Sequence, residues 1–200
     1  MSSLGSISVY LDCKVVSEPH KINSNNGVEI YQCTVQHKRR SGVIDEFYIN
    51  FHKDYLCCFK VGYYLNISGD LRSLNSLKVD GGIIQSSIFV YNVTVLDSEP
   101  EDYINYVNLK NCSLFVNEPL RKSSDGKNLD VISFKIKLTG KYDRICYLEC
   151  TAWRDLAVFV NKQCRKGVLM NIEGRLQSSI SNNNSHLYVS LVVTKLKKLF

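Results

Sequence analysis

The side chains able to do chemistry in this 200-residue sequence are few and unevenly placed. Four histidines, His20, His37, His52 and His186, are scattered with no carboxylate or nucleophile spaced beside them. No glycine-rich phosphate loop and no G-x-S-x-G elbow occurs, and Gly81-Gly82 reads as a turn between strands. Eight cysteines are present without a C-x-x-C pair, and Cys146 and Cys150 have no second pair or histidine at zinc-like spacing. Cys13, Cys33, Cys112 and Cys150 lie in strand-like apolar runs, and Cys57, Cys58 and Cys164 near helices. The expectation is buried free thiols in a reducing compartment, with no metal and no cofactor. What remains is noncovalent. Lys135, Lys137, Tyr147, Thr151 and Trp153 fall on outward positions of two alternating stretches, with Arg154 beside them. Rings and cations on one face act by stacking and ion pairing rather than by making bonds, so the chain is read as a non-enzyme.

These residues need strands to hold them. Tyr147, Glu149, Thr151 and Trp153 alternate with Leu148, Cys150 and Ala152, the period of a half-buried strand. Asp155 follows at the expected helix N-cap, with Leu156, Ala157, Phe159 and Val160 as the apolar face behind it. Arg165-Lys166-Gly167 ends that helix, and Leu169 to Leu176 returns as a strand in which Gly174 marks a bend or bulge. Upstream, Val131 to Thr139 alternates with Phe134, Ile136 and Leu138 inward and Lys135 and Lys137 outward.

The ordered set Trp153, Leu156, Ala157, Lys166, Gly167, Ile172, Glu173, Gly174, Arg175 and Leu176 resembles the bacterial-type single-stranded DNA-binding protein family. The resemblance implies an OB fold, a small Greek-key β-barrel with one helix that binds single strands through stacking platforms and a cationic groove. It places Trp153 and Tyr147 where family members present stacking aromatics; the alternative for Trp153 is packing against the helix or a partner subunit. It sets Lys141, Tyr142 and Arg144 on the hairpin that family members fold over DNA. Members usually assemble four barrels, so two barrels per chain would imply a homodimer. Housekeeping members carry an acidic recruiting tail, whereas this sequence ends Lys195-Leu196-Lys197-Lys198-Leu199-Phe200. A phage- or mobile-element-encoded variant, or an accessory primosome-like protein, is the expected type. A replication or recombination protein is the expected partner class, and DNA versus RNA stays open.

The first half repeats the second. Ser17-Glu18-Pro19 recurs as Asn117-Glu118-Pro119, His52-Lys53-Asp54 as Trp153-Arg154-Asp155, Val61-Gly62 as Lys166-Gly167, and Leu65 to Leu71 as Met170 to Leu176. A repeat this long means tandem domains. The chain is read as all-β with short helices: two OB-fold barrels, at 1–98 and 103–200, joined by the acidic Asp97–Asp102 segment. In the first, strands are expected over Ile7–Val16, Glu29–Lys38, Asp45–His52, Tyr64–Leu71 and Ile83–Leu96. A loop is expected over His20–Gly27 and a short helix over Lys53–Lys60. The corresponding outward face offers Gln32, Thr34, Gln36, Tyr48, Asn50 and His52, of which only Tyr48 and His52 could stack. Lys38-Arg39-Arg40 is either a phosphate contact or a solvated turn.

Charge separates the halves. Residues 1–102 hold nine Lys/Arg against twelve Asp/Glu, a net of −3, and residues 103–200 hold sixteen against seven, a net of +9, together the chain's +6. A polyanion should prefer the second half, because neutralised phosphates release counterions. The rival expectation is an OB-fold scaffold that binds protein and has lost nucleic acid. No apolar run approaches a membrane span and the N-terminus lacks a secretory pattern, so the cytoplasm is the expected location.

Overall fold

The structure is a computed structural model, and it describes residues 5–22, 27–74, 85–124, 128–139, 145–180 and 187–199. The chain folds as two compact units. The N-terminal unit is Ser8–Tyr106 with Ser178–Tyr188, and the C-terminal unit is Val107–Gln177 with Met1–Ile7 and Val189–Phe200.

Strands β1 (Ser6–Val15), β2 (His20–Ile22), β3 (Ile30–Lys38), β4 (Ile44–His52), β5 (Tyr64–Leu74) and β6 (Gln85–Leu96) form the N-terminal unit. They run in the order β2-β3-β4-β6-β5-β1, and β3 pairs back onto β1 to close a five-stranded barrel with β2 as an added strand. All described pairings are antiparallel except β4 with β6. A 3-10 helix, Lys53–Cys58, follows β4. The alternation sends Leu11, Cys13, Val35, Phe47, Ile49, Leu65, Ile67 and Ile88 into the barrel, where they are buried. Each such side chain contributes about 1.5–3 kcal/mol on burial.

The C-terminal unit repeats this plan with β7 (Asn105–Asn117), β8 (Arg121–Lys122), β9 (Asp130–Thr139), β10 (Ile145–Trp153), helix α1 (Asp155–Gln163), β11 (Leu169–Ile180) and β12 (Leu187–Lys198). The order is β7-β11-β12-β10-β9-β8, closed by β7 on β9, and β10–β12 is the parallel pair. Leu109, Leu114, Ile132, Ile136, Leu148, Ile172 and Leu191 fill it. The chain is therefore all-β with short helices: two tandem OB-fold barrels.

The two copies agree pair by pair. Ile30↔His52 and Lys38↔Ile44 bound the β3–β4 ladder, and Val131↔Trp153 and Thr139↔Ile145 bound β9–β10, each residue 101 positions on. Gly69 and Gly174 hold the same place. A Cβ on Gly69 would stand 2.4 Å from the Phe89 carbonyl oxygen, and one on Gly174 would stand 2.4 Å from that of Val192. Only a residue without a Cβ permits that approach.

Several local expectations are corrected. Toward β7, β11 shifts register between Met170 and Ile172, while at Gly69, the counterpart of Gly174, the shift toward β6 falls between Ser68 and Gly69. His20–Ile22 is a strand rather than loop: it pairs with Ile30–Gln32, and Lys21 is bonded to Glu29. The first helix ends at Cys58 as a 3-10 turn. Asp155 is the first helical residue of α1, not its cap; Arg154 is the cap, at φ 55° and without a side-chain bond. The cause is the strand before it. The Arg154 N–H continues the ladder by donating to the Asp130 carbonyl at 2.7 Å, so the turn into the helix falls on Arg154. Asp155 still opposes the positive helix end. Gly81-Gly82 lies outside the described residues. Among the described residues no helix is long and apolar enough to cross a membrane.

Candidate nucleic-acid interface

In the C-terminal unit the period of β9 and β10 brings the expected residues to one face. Tyr147 lies opposite Lys137, Glu149 opposite Lys135, Thr151 opposite Ser133 and Trp153 opposite Val131. Their neighbours Phe134, Ile136, Leu138, Leu148, Cys150 and Ala152 are buried, which forces Lys135, Lys137, Tyr147, Glu149, Thr151 and Trp153 outward, while Val131 opposite Trp153 is itself buried. Strand β7 extends the face, with Ser113 beside Lys137 and Val116 beside Lys135.

A residue missed from sequence completes it. Phe115 on β7 is 39% exposed, and its ring meets Tyr147 edge-on at 5.1 Å between centroids and 62° between planes. Lys166, in the turn after α1, holds its Nζ 5.6 Å from the Phe115 centroid. That turn is fixed by backbone: the Gly167 N–H donates to Leu114 O at 2.8 Å and the Leu114 N–H to Val168 O at 2.9 Å. Gly167 has φ 89°, which places it among the positions glycine adopts most readily. Phe115 and Tyr147 thus form an aromatic corner with Lys137 and Lys166 on either side. Alternation would have exposed Phe115, since Cys112 and Leu114 point inward.

Not every cation on this face is free. Lys135 Nζ lies 3.5 Å from the Glu149 carboxylate. Trp153 is 37% exposed at the far end of β10, about 20 Å along the strand from Tyr147. It stands apart from the Phe115–Tyr147 pair. Thr151 lies half-buried between them and Arg154 is exposed beside Trp153. Lys141, Tyr142 and Arg144 lie outside the described residues.

The matching face of the N-terminal unit is closed by its own hydrogen bonds. Gln36 Nε2 donates to Glu46 at 2.8 Å and Gln32 Nε2 to Asn50 at 2.8 Å, while Asn50 Nδ2 donates to Ser87 at 3.0 Å. Tyr48 is half-buried on the central strand between Thr34 and Ser87. His52 pairs with Asp54 at 2.9 Å and caps the 3-10 helix. Each cation of the basic turn has a carboxylate beside it. Lys38 pairs with Glu99 at 3.1 Å, Arg39 with Asp45 at 2.5 Å and Arg40 with Asp102 at 3.3 Å. The bond to Asp45 raises the Arg39 pKa further. Tyr64 and Tyr103 also donate to Glu99, at 3.1 Å each, and together with Lys38 they lower its pKa. No group of three or more metal-ligating side chains occurs among the described residues.

The description "Single-strand binding protein family" belongs to the family model that matches residues 114–199. Wild-type single-stranded DNA binding protein from Thermus aquaticus is similar in structure at a TM-score of 0.76 and 18% identity, covering 99% of this chain and 95% of that one. A deletion mutant of the Thermus aquaticus protein gives 0.74 and 16%, covering 98% and 96%. These likenesses extend the shared fold over both barrels. No curated protein matches in sequence. The segment with the aromatic corner, 114–199, is thus the part of the chain that is similar to the single-strand binding protein family.

Proposed function

We propose that the chain binds single-stranded DNA without catalysis and with little base preference, chiefly through residues 103–200. Bases stack on the Phe115–Tyr147 corner and on Trp153, and Lys137, Lys166 and Arg154 take phosphates, with Lys135 shared with Glu149. The single observation that carries this reading is the aromatic corner set between two lysines on the outer face of an OB barrel. The net charge of +9 over residues 103–200 supports it, because it favours a polyanion there. Processes that expose single strands, namely replication, recombination or the transfer of a mobile element, are where such a surface acts. The two barrels, at 1–98 and 103–200, give four OB folds in a homodimer, which light scattering tests.

The hydrogen-bonded face and paired basic turn of the N-terminal unit favour a different role for that barrel, in assembly or in contact with a protein. Titration with oligo-dT at two salt concentrations, read by Trp153 fluorescence, tests the main reading. Tight binding that weakens with salt supports it. No binding at low salt leaves the protein-scaffold reading. The same titration with oligo-U compares RNA.

A further inference from the structure

Six of the eight cysteines, Cys13, Cys33, Cys112, Cys146, Cys150 and Cys164, are buried as their strand and helix contexts predict. Cys57 and Cys58 are not. Cys57 is exposed and Cys58 partly so, and their sulfurs stand 3.9 Å apart at the end of the 3-10 helix. The segment that carries them is held at both ends. Lys53 Nζ reaches the Glu29 carboxylate at 2.6 Å, and Phe59, directly after Cys58, is buried with its ring stacked 3.8 Å from that of Phe51. The thiols are therefore presented to solvent from an anchored backbone.

Geometry decides what such a pair takes. The α-carbons of adjacent residues are about 3.8 Å apart, below the usual disulfide span of about 4.4–6.8 Å. Closing to an S–S bond of about 2.05 Å would strain the turn. A single atom bound to both sulfurs bridges them without an S–S bond, so sulfurs already 3.9 Å apart need to approach far less to share one atom than to close to about 2.05 Å. Zinc would need further ligands, and no group of three or more His, Cys, Asp or Glu stands ready among the described residues. A soft centre that requires only two protein thiolates and brings its own remaining substituent meets the geometry.

We propose that Cys57 and Cys58 form a dithiol site for trivalent arsenicals. The step is a condensation. Two S–H bonds and the arsenic–oxygen bonds of an organoarsenic(III) oxide are exchanged for two As–S bonds and one water; arsenic stays trivalent and no oxidant is used. Burial and the neighbouring Cys57 raise the Cys58 pKa, so this thiol is protonated at neutral pH and its proton leaves in that water.

The test uses the full chain, reduced with a phosphine, and one equivalent of phenylarsine oxide. Intact mass should show one phenylarsenic group per chain, and peptide mapping should place it on the segment holding Cys57 and Cys58. It should resist excess monothiol and be removed by 2,3-dimercaptopropanol. Cys57→Ser and Cys58→Ser should each lose the monothiol-resistant adduct while keeping the wild-type circular dichroism spectrum. Absence of an adduct, its removal by monothiol, or its mapping to any other cysteine in the wild-type chain would overturn the proposal. Because the wild-type mapping decides alone, a variant that failed to fold would not blunt the test.

Discussion

Gln36 Nε2 donates a 2.8 Å hydrogen bond to the Glu46 carboxylate, and this pair is the counterpart, 101 residues earlier, of Lys137 and Tyr147. The same rung of the same barrel holds a self-satisfied amide–carboxylate pair in one copy and a cation beside an aromatic ring in the other. That difference sets out what each barrel has left to offer a ligand.

Phe115→Ala and Tyr147→Ala should each weaken oligo-dT binding by roughly 5- to 150-fold, the worth of one lost stack at about 1–3 kcal/mol. Neither is a core residue, so thermal unfolding should move little. Lys166→Ala should act differently, lowering the slope of log K against log salt by about 0.7 for one lost phosphate contact. Fluorescence titration across a salt series separates the two effects.

The rung can be exchanged. Gln36→Lys with Glu46→Tyr should give this rung of the N-terminal unit the cation and ring that Lys137 and Tyr147 supply in the other. In a background carrying Phe115→Ala and Tyr147→Ala, oligo-dT affinity should rise on adding the graft. No rise would show that the face needs more than this one rung.

Glu99 and Asp102 occupy Lys38 and Arg40 through exposed ion pairs, which are individually weak. Glu99→Gln with Asp102→Asn should therefore free two cations at little cost to stability. Affinity for oligo-dT at low salt should rise a few-fold and the salt slope should steepen by up to about 1.4. An unchanged slope would mean the freed turn is not within reach of DNA.

His37 is buried, with Nδ1 2.9 Å from the Asp12 carbonyl oxygen and its ring edge-on to Tyr103 at 5.6 Å. Burial lowers its pKa below the ordinary 6.5, more than the Asp12 carbonyl bond and the charges of Asp45 and Asp12 raise it. The unfolded chain then takes up this proton more readily than the folded one. Stability should be full above about pH 6.5 and fall as pH drops below it, until the folded pKa is passed. Urea unfolding at neutral pH and at about pH 5 should show the loss, and His37→Gln should flatten it.

Gly174→Ala should cost about 3 kcal/mol or more, because the added carbon meets a backbone oxygen that cannot swing away. Gly167→Ala has open space around it and φ 89°, so its cost should be only about 1–2 kcal/mol. Chemical denaturation gives the ranking.

Strand parity was plain in the residues: with Phe134, Ile136 and Leu138 inward, Lys135 and Lys137 could only face out. The repeat was plain too, since Gly69 and Gly174 are kept by a backbone clash that leaves no choice of residue. Phe115 escaped because an aromatic near the end of an apolar strand looks like core, and only its parity with Leu114 tells otherwise. The pairing of Lys38 with Glu99 was invisible because it joins residues 61 apart through a turn with no periodic signal. The exposure of Cys57 and Cys58 escaped for a related reason. A six-residue 3-10 helix with no buried residue has no apolar face to read.

The approach at Gly69 and Gly174 is made by main-chain atoms, so it places no demand on which side chains cover the outside of either barrel. A copy held together in this way can lose its binding groups and still persist as a fold. The division of labour proposed for the two halves, one meeting the ligand and the other serving assembly, then needs no compensating change in the scaffold.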